Sequence, residues 1–280
     1  MPGTPAPTTP EPGDFRADGV GVELTIDGML VVADRLDLAE FTALGIRANI
    51  GDEDVRALVW DQVRRDLSGQ GVLDSQGYPD PAVAQMIDTL GRAERTLECR
   101  WFRRADATMI RFVLCRRGEC HVIAVRDGDL VVLQRFAPQV ALADMVTSVL
   151  GPAEPAEVEP LTGLAADLAD CTTAAQLATY GVGAASARRY AEITGNPVGW
   201  VEITATQRHP GGTSTSAGVA AGVLDSTWGR LVSLPRRVGG ELYGSFLPGS
   251  TENLQRALDS LLEFLPAGGW LDQLDNAGHN

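Results

Sequence analysis

The chain has 280 residues, 44% of them apolar, and a mass of 29.7 kDa, enough for one large domain or two modest ones around a substantial core. Its 23 basic residues are all arginine and face 37 acidic ones, a formal charge of -14. That balance argues against nucleic acid as a partner, and the lack of lysine removes Schiff-base chemistry and a P-loop lysine.

Residues 1–19, rich in Pro, Thr and Gly, have neither the cationic start nor the apolar run of a secretory signal, and the expectation is a disordered tail. No run reaches the ~18 apolar residues that span a bilayer, so no membrane insertion is expected. The first predicted element is a hairpin, VGVELTI and MLVVA flanking Asp27-Gly28, a dipeptide suited to a tight primed turn. A helix from Asp52 would place Val55, Leu58, Val59, Val63 and Leu67 on one face. A second, with Asp80 as N-cap and Pro81 in its first turn, would bury Val83, Met86, Ile87 and Leu90 and stop at Gly91.

Residues 97 to 150 then read as four strands and a helix. With Arg117-Gly118 as a turn, Cys115 lies opposite Cys120, Val113 opposite Val122 and Phe112 opposite Ile123. Asp127-Gly128 sets Val125 against Leu130 and Ile123 against Val132. Both faces of these strands are largely apolar, the pattern of central strands covered on two sides.

A Pro/Glu linker is expected over 151–160, GPAEPAEVEP, separating an N-terminal α/β half (20–150) from a C-terminal half (161–271); 272–280 should fray. Helices are predicted over roughly 161 to 194, one capped by Thr172 or Thr173 and the last carrying Tyr190 and Ile193. Residues 198 to 265 repeat the four strands and helix, interrupted by HPGGTSTSAG, read as a mobile loop. In the closing helix, capped by Ser250 or Thr251 and stopped by Pro266, Leu254, Ala257, Leu258, Leu261, Leu262 and Leu265 share one face. The same sheet-plus-helix pattern twice is a way to build one broad surface, which points to a protein that holds another protein.

Chemistry is sparse. Cys115, Cys120 and His121 suggest a metal, but consecutive strand residues point to opposite faces, and a closed zinc site needs four converging ligands. Four cysteines, Cys99 and Cys171 completing the set, are too few and scattered for a disulfide framework and suit a reducing compartment. His209, where a strand meets the loop, is the one histidine placed for catalysis, with Glu241 as a candidate acid. No G-x-S-x-G elbow or catalytic Cys motif accompanies it. YGVGAAS at 180 to 186 lacks the third Gly and the Lys of a phosphate loop and reads as a helix-helix turn. The arginine pairs 103/104, 116/117, 188/189 and 236/237 could grip carboxylates, or simply be solvated.

The stretches VELTIDGMLVVADRL, GRAERTLECRWFRR, RFVLCRRGE, VLGPAEPAEVEPLTG, GNPVGWVEI, QRHPGGT and GRLVSLPRRVGGELYGSFLPG resemble the EspG family of mycobacterial type VII (ESX) secretion-associated proteins, within it the branch of the first ESX system. The resemblance covers about residues 20 to 270. It implies an α+β fold with two quasi-symmetric halves around a central antiparallel sheet, flanking helices, and a helical bundle in the second half. It also implies a cytosolic chaperone without enzymatic activity or cofactor, linked to virulence, that binds PE/PPE heterodimers at the PPE tip, keeps them soluble and directs them to the secretion system. A partner-contacting loop between early strands would be Arg103, Arg104, Ala105 and Asp106. The second-half helices would contribute Arg188 and Arg189, and the sheet Arg208, Trp228 and Arg236. The free chain is left open between monomer and homodimer. The alternative is a small-molecule hydrolase or transferase using His209.

Overall fold

A computed structural model describes residues 21–48 and 50–271; the expected tails, 1–19 and 272–280, lie outside the described residues. In chain order, strand β1 (Gly21–Thr25) leads into helices α1 (Ile26–Arg35), α2 (Glu53–Gly69) and α3 (Pro81–Gly91). Four strands follow, β2 (Arg95–Arg103), β3 (Thr108–Arg117), β4 (Cys120–Asp127) and β5 (Leu130–Phe136), and then α4 (Leu142–Leu150). The second half repeats the order with β6 (Leu161–Leu164), α5 (Ala165–Ala169), α6 (Ala174–Ala178) and α7 (Ala184–Gly195). It continues through β7 (Gly199–Arg208), β8 (Ser214–Ser226), β9 (Gly229–Val238) and β10 (Glu241–Pro248) to α8 (Thr251–Leu262).

All ten strands form one sheet in the order β1-β5-β4-β3-β2-β7-β8-β9-β10-β6, with every neighbouring pair antiparallel. Each half contributes an edge strand, three helices, a four-stranded meander and a last helix. The two meet at β2 and β7, whose register runs from Arg95↔Gln207 to Arg103↔Gly199. This is the two-halved α+β architecture expected, and the repeat extends further than the sequence pattern indicated, because β1 and β6 also correspond.

The helices cover the sheet unequally. On one face α4 and α8 lie across the seam, and Val146, Leu258 and Leu261 pack on Leu97, Phe112, Ile203, Val223 and Val232 from both halves. The amphipathic period of α8 dictates this, since every residue of its predicted face from Leu254 to Leu265 is buried. On the other face the N-terminal helices seal β3, β4 and β5 through Met29, Val32, Met86, Ile87, Val113, Cys115 and Val131. The C-terminal helices seal the far side through Leu161, Leu177, Tyr190, Ile193 and Leu231.

Several predicted elements are corrected. The hairpin at Asp27-Gly28 is instead β1 followed by α1: the Thr25 hydroxyl accepts from Gly28 N at 3.0 Å and caps a helix, while β1 pairs with β5. The run Met29–Ala33 is apolar throughout because this stretch of the helix is buried on every side, and a short apolar run does not distinguish a buried helix from a strand. Helix α2 begins at its Asp52 cap, but Val55 and Leu58 are 49% and 73% exposed, because α2 packs on its neighbours only towards its C-terminal half, through Trp60, Val63 and Leu67.

The hairpin registers are displaced by two residues: Cys115 faces Val122 and Arg117 faces Cys120, and Val125 faces Val132. Gly118 and Gly128 occupy the first loop position, with φ of 56° and 59°, rather than the second. An even shift preserves which face each side chain occupies, so the core survived the error. Residues 161–164, expected to be helical, form edge strand β6 against β10. Much of the predicted loop 209–218 is strand, with β8 starting at Ser214 and a bulge where Thr204 and Thr206 meet it. Residues 151–160 carry no helix or strand, yet they are pinned: Arg230 N donates to Glu154 O and Ala156 N to Arg230 O.

Candidate protein-binding surface

Between the two helix groups, the middle of the second sheet face is left open. The burial of β7 alternates, Val201, Ile203 and Ala205 inward and Trp200, Glu202, Thr204 and Thr206 outward, as expected for a strand with one covered face. Register converts this into rows of side chains crossing the floor. Met109, Phe102, Trp200 and Leu224 form one row; Arg111, Arg100, Glu202 and Gly222 the next; Val113, Glu98, Thr204 and Ala220 the third; Cys115, Thr96, Thr206 and Ser216 the last, with Val113 and Cys115 at the margin covered by the N-terminal helices.

The floor therefore grades from aromatic at one end to polar at the other. The Phe102 and Trp200 rings stack with centroids 5.1 Å apart and planes 16° from parallel. Gly199 gives this seam room, since a Cβ there would come 3.1 Å from Phe102 O and 3.2 Å from the Trp101 indole nitrogen.

Three connections gather at the aromatic end: the β2–β3 turn, the α7–β7 link and the β8–β9 turn. Arg104 N donates to Val198 O at 3.0 Å and its guanidinium to Asn196 Oδ1, so the β2–β3 turn is clasped to the link. Arg103 pairs with Asp106 at 2.7 Å and lies over Trp101 at 5.7 Å. Asp106 accepts from the Thr108 hydroxyl at 2.6 Å. That hydrogen bond, with the Arg103 charge a lesser contribution, holds the Asp106 carboxyl below its ordinary value. From α7, Arg189 reaches over the ring of Trp228, 4.0 Å from its centroid. Met109, Trp200 and Trp228 remain 39%, 38% and 47% exposed, an aromatic patch rimmed by guanidinium groups, the composition found at the centres of protein interfaces.

Of the residues picked from sequence, Arg103, Arg104, Ala105, Asp106, Arg189 and Trp228 come together at this end, with Arg188 exposed beside them on α7. Arg208 lies at the opposite end of β7, where it lines a cavity of about 210 Å³ with Glu98, Thr206 and Cys115. Arg236 is on the other face of the sheet, beside Leu234 and the Glu252 and Asp259 carboxylates of α8. The residues that sequence reasoning missed are Phe102, Met109 and Trp200. The signal was present in WVEITATQR, whose strict alternation leaves an aromatic on the polar face.

Conventional catalytic chemistry finds little here. His209 Nε2 is engaged with Thr215 Oγ1 at 2.8 Å, and β8 and β9 lie between the strand that leads to it and the one that carries Glu241. Burial pushes the Cys115 thiol up to about 12, and Cys99 is raised by the same cause. Cys120 packs with the N-terminal helices while its neighbour His121 faces Trp270 on the other side. Among the described residues no cluster of His, Cys, Asp or Glu could hold a metal ion, and no helix is long and apolar enough to cross a membrane.

The EspG family model matches residues 25–260. The chain is 69% identical over 255 residues to the ESX-1 secretion-associated protein EspG1 of Mycobacterium tuberculosis, covering 90% of each chain. It is 67% identical over 260 residues to that of Mycobacterium marinum, covering 92% of this chain and 93% of the relative. Its fold is similar to that of the Mycobacterium tuberculosis type VII secretion system chaperone EspG5, solved in complex with a PE25-PPE41 dimer. That match has a TM-score of 0.72 at 17% identity and covers 90% of this chain and 99% of the other.

Proposed function

This chain belongs to the EspG family, and from that membership we propose that it is a cytosolic, non-enzymatic chaperone. It binds PE/PPE heterodimers at the PPE tip, keeps them soluble and directs them to the ESX secretion system. The observation that carries the reading is the open, aromatic-ended floor at the centre of a fold shared with a chaperone solved with a PE-PPE dimer bound. An exposed apolar tip needs a complementary apolar patch with a polar rim. Phe102, Met109, Trp200 and Trp228 supply the patch, and Arg104, Arg188 and Arg189 the rim. The acidic surplus elsewhere keeps chaperone and cargo in solution.

The test is size-exclusion chromatography with light scattering on the chain alone and mixed with PE/PPE heterodimers from the same secretion system. One co-eluting equimolar ternary peak is expected. Separate peaks with every heterodimer of that system would overturn the proposal.

A further inference from the structure

The sheet ends at β1, which pairs with β5 on one side and has no strand on the other among the described residues. Ile26 N donates to Asp129 O at 2.9 Å, so by the two-residue period of an antiparallel ladder the peptide groups of Val22 and Leu24 face β5. Those of Gly21 and Glu23 face outward, and both residues are exposed. Such an edge is a template for another strand.

Beside it lies a depression of about 490 Å³, bounded by β1, the C-terminal half of α2 and the β4–β5 turn. Leu24, Val63 and Leu67 give it apolar walls, and its charge is of one sign. Glu23, Asp27, Asp66 and Asp129 line it, with no arginine among its described lining residues. The arginines that flank Asp66 and Asp129 in the chain are engaged elsewhere: Arg64 pairs with Asp61, Arg65 donates to Gln62 Oε1, and Arg126 donates to Gly45 O and Gly128 O. Helix α1 begins and α2 ends here, so their terminal partial charges oppose one another and the carboxylates set the sign.

We propose that the β1 edge accepts a cationic, extended segment of a partner protein as an added strand. Main-chain hydrogen bonds hold the segment and the carboxylates select it. Side chains of an added strand alternate between the two faces of the sheet, meeting Glu23 and Leu130 on one face and Val63 and Asp66 of α2 on the other. Lysine or arginine therefore finds a carboxylate on either side. A second copy of this chain is disfavoured as the occupant, because pairing two β1 edges would set Glu23 of each against the acidic edge of the other. Four strand spacings separate β1 from β2, which carries Phe102, a distance of roughly 19 Å, so the edge stays open while the aromatic end of the floor is filled.

The experiment titrates the cargo-free full chain with a fluorescent peptide of alternating lysine and valine and follows amide hydrogen exchange along β1, so its result does not depend on whether cargo binds. Saturable binding that weakens about tenfold or more on raising salt from low to physiological strength is expected, with slowed exchange of the Glu23 amide. A peptide of alternating glutamate and valine should not bind. Glu23→Gln and Asp66→Asn should each weaken binding about threefold or more. Glu23→Pro, which also removes the outward N–H at a position where an edge strand tolerates proline, should abolish it, with thermal melting confirming that each variant folds. Glu252→Gln, on the exposed side of α8, should change nothing. Failure of the lysine peptide to bind, binding indifferent to both neutralisations, or binding that leaves the Glu23 amide unprotected would overturn the proposal. So would a Glu23 amide already protected in the free chain, because the edge would then be occupied without a partner.

Discussion

The guanidinium of Arg189 sits 4.0 Å from the centroid of the Trp228 ring, tying α7 to the β8–β9 turn beside the open floor. Arg189 also lies 3.8 Å from Glu192 on its own helix, so the tryptophan is held from one side while 47% of it stays exposed. An anchor already fixed in place loses less freedom on binding than a mobile one.

Trp228→Ala should therefore weaken PE/PPE binding by about tenfold or more, the scale of an aromatic hot spot. Arg189→Ala should weaken it less, and the double-mutant cycle should give a coupling of roughly 0.5–2 kcal/mol. Calorimetric titration of the four proteins measures all three quantities; additivity would mean that the stacked pair does not act as a unit.

A charge placed in the aromatic row should be more damaging still. Trp200→Glu inserts a carboxylate where Phe102 stacks and Met109 flanks, and co-elution with cargo should be lost. Because Trp200 is 38% exposed, the melting temperature should fall by only a few degrees, roughly what 1 kcal/mol produces in a chain of this size.

Much of the fold could be read from residues alone, for physical reasons that differ by element. Helix α8 was legible because its period and its Ser250 cap both survive in the sequence. The four strands after Arg95 were legible because Gly118 and Gly128 mark their turns, although an Arg-Gly or Asp-Gly pair does not say which loop position the glycine takes. Helix α1 was not, because burial on all sides erases the polar face that announces a helix. Of the surface, the arginines and Trp228 were picked out through family resemblance. Phe102 and Trp200 were overlooked because their nearness depends on the β2–β7 register, which pairs strands far apart in the chain.

Stability should hinge on Arg230, which is 3% exposed. Its guanidinium donates to both Asp225 oxygens at 2.6 and 2.9 Å and to Gly151 O at 3.1 Å. Arg230→Ala strips Asp225 and that carbonyl of their donor and should cost about 3 kcal/mol in urea unfolding. It should also expose residues 151–156 to proteolysis, since the side-chain tie from Arg230 to Gly151 O is lost. Arg230→Met with Asp225→Leu, which removes both charges, should recover part of the loss.

Acid sensitivity should trace in part to His121. Its side chain is buried at the edge of Trp270 and neither ring nitrogen has a hydrogen-bond partner among the described residues. Burial first, and the Arg116 charge second, lower its pKa from 6.5. The unfolded chain then binds a proton that the folded chain refuses. Stability is present above pH 6.5 and is lost as pH falls from there through the lowered folded value. His121→Phe should flatten the melting profile in that window; an unchanged acid slope would exonerate the residue.

The pairing of β2 with β7 has a consequence for synthesis. Until residue 208 has left the ribosome, the strand from Arg95 to Arg103 has no partner on its second side and shows an unpaired edge of the kind that recruits other chains. Nor is α8, which covers the seam, yet made. A protein proposed to shelter the apolar surface of others thus spends the middle of its own birth in need of shelter, and truncated products ending before β7 are expected to aggregate rather than fold as half-molecules.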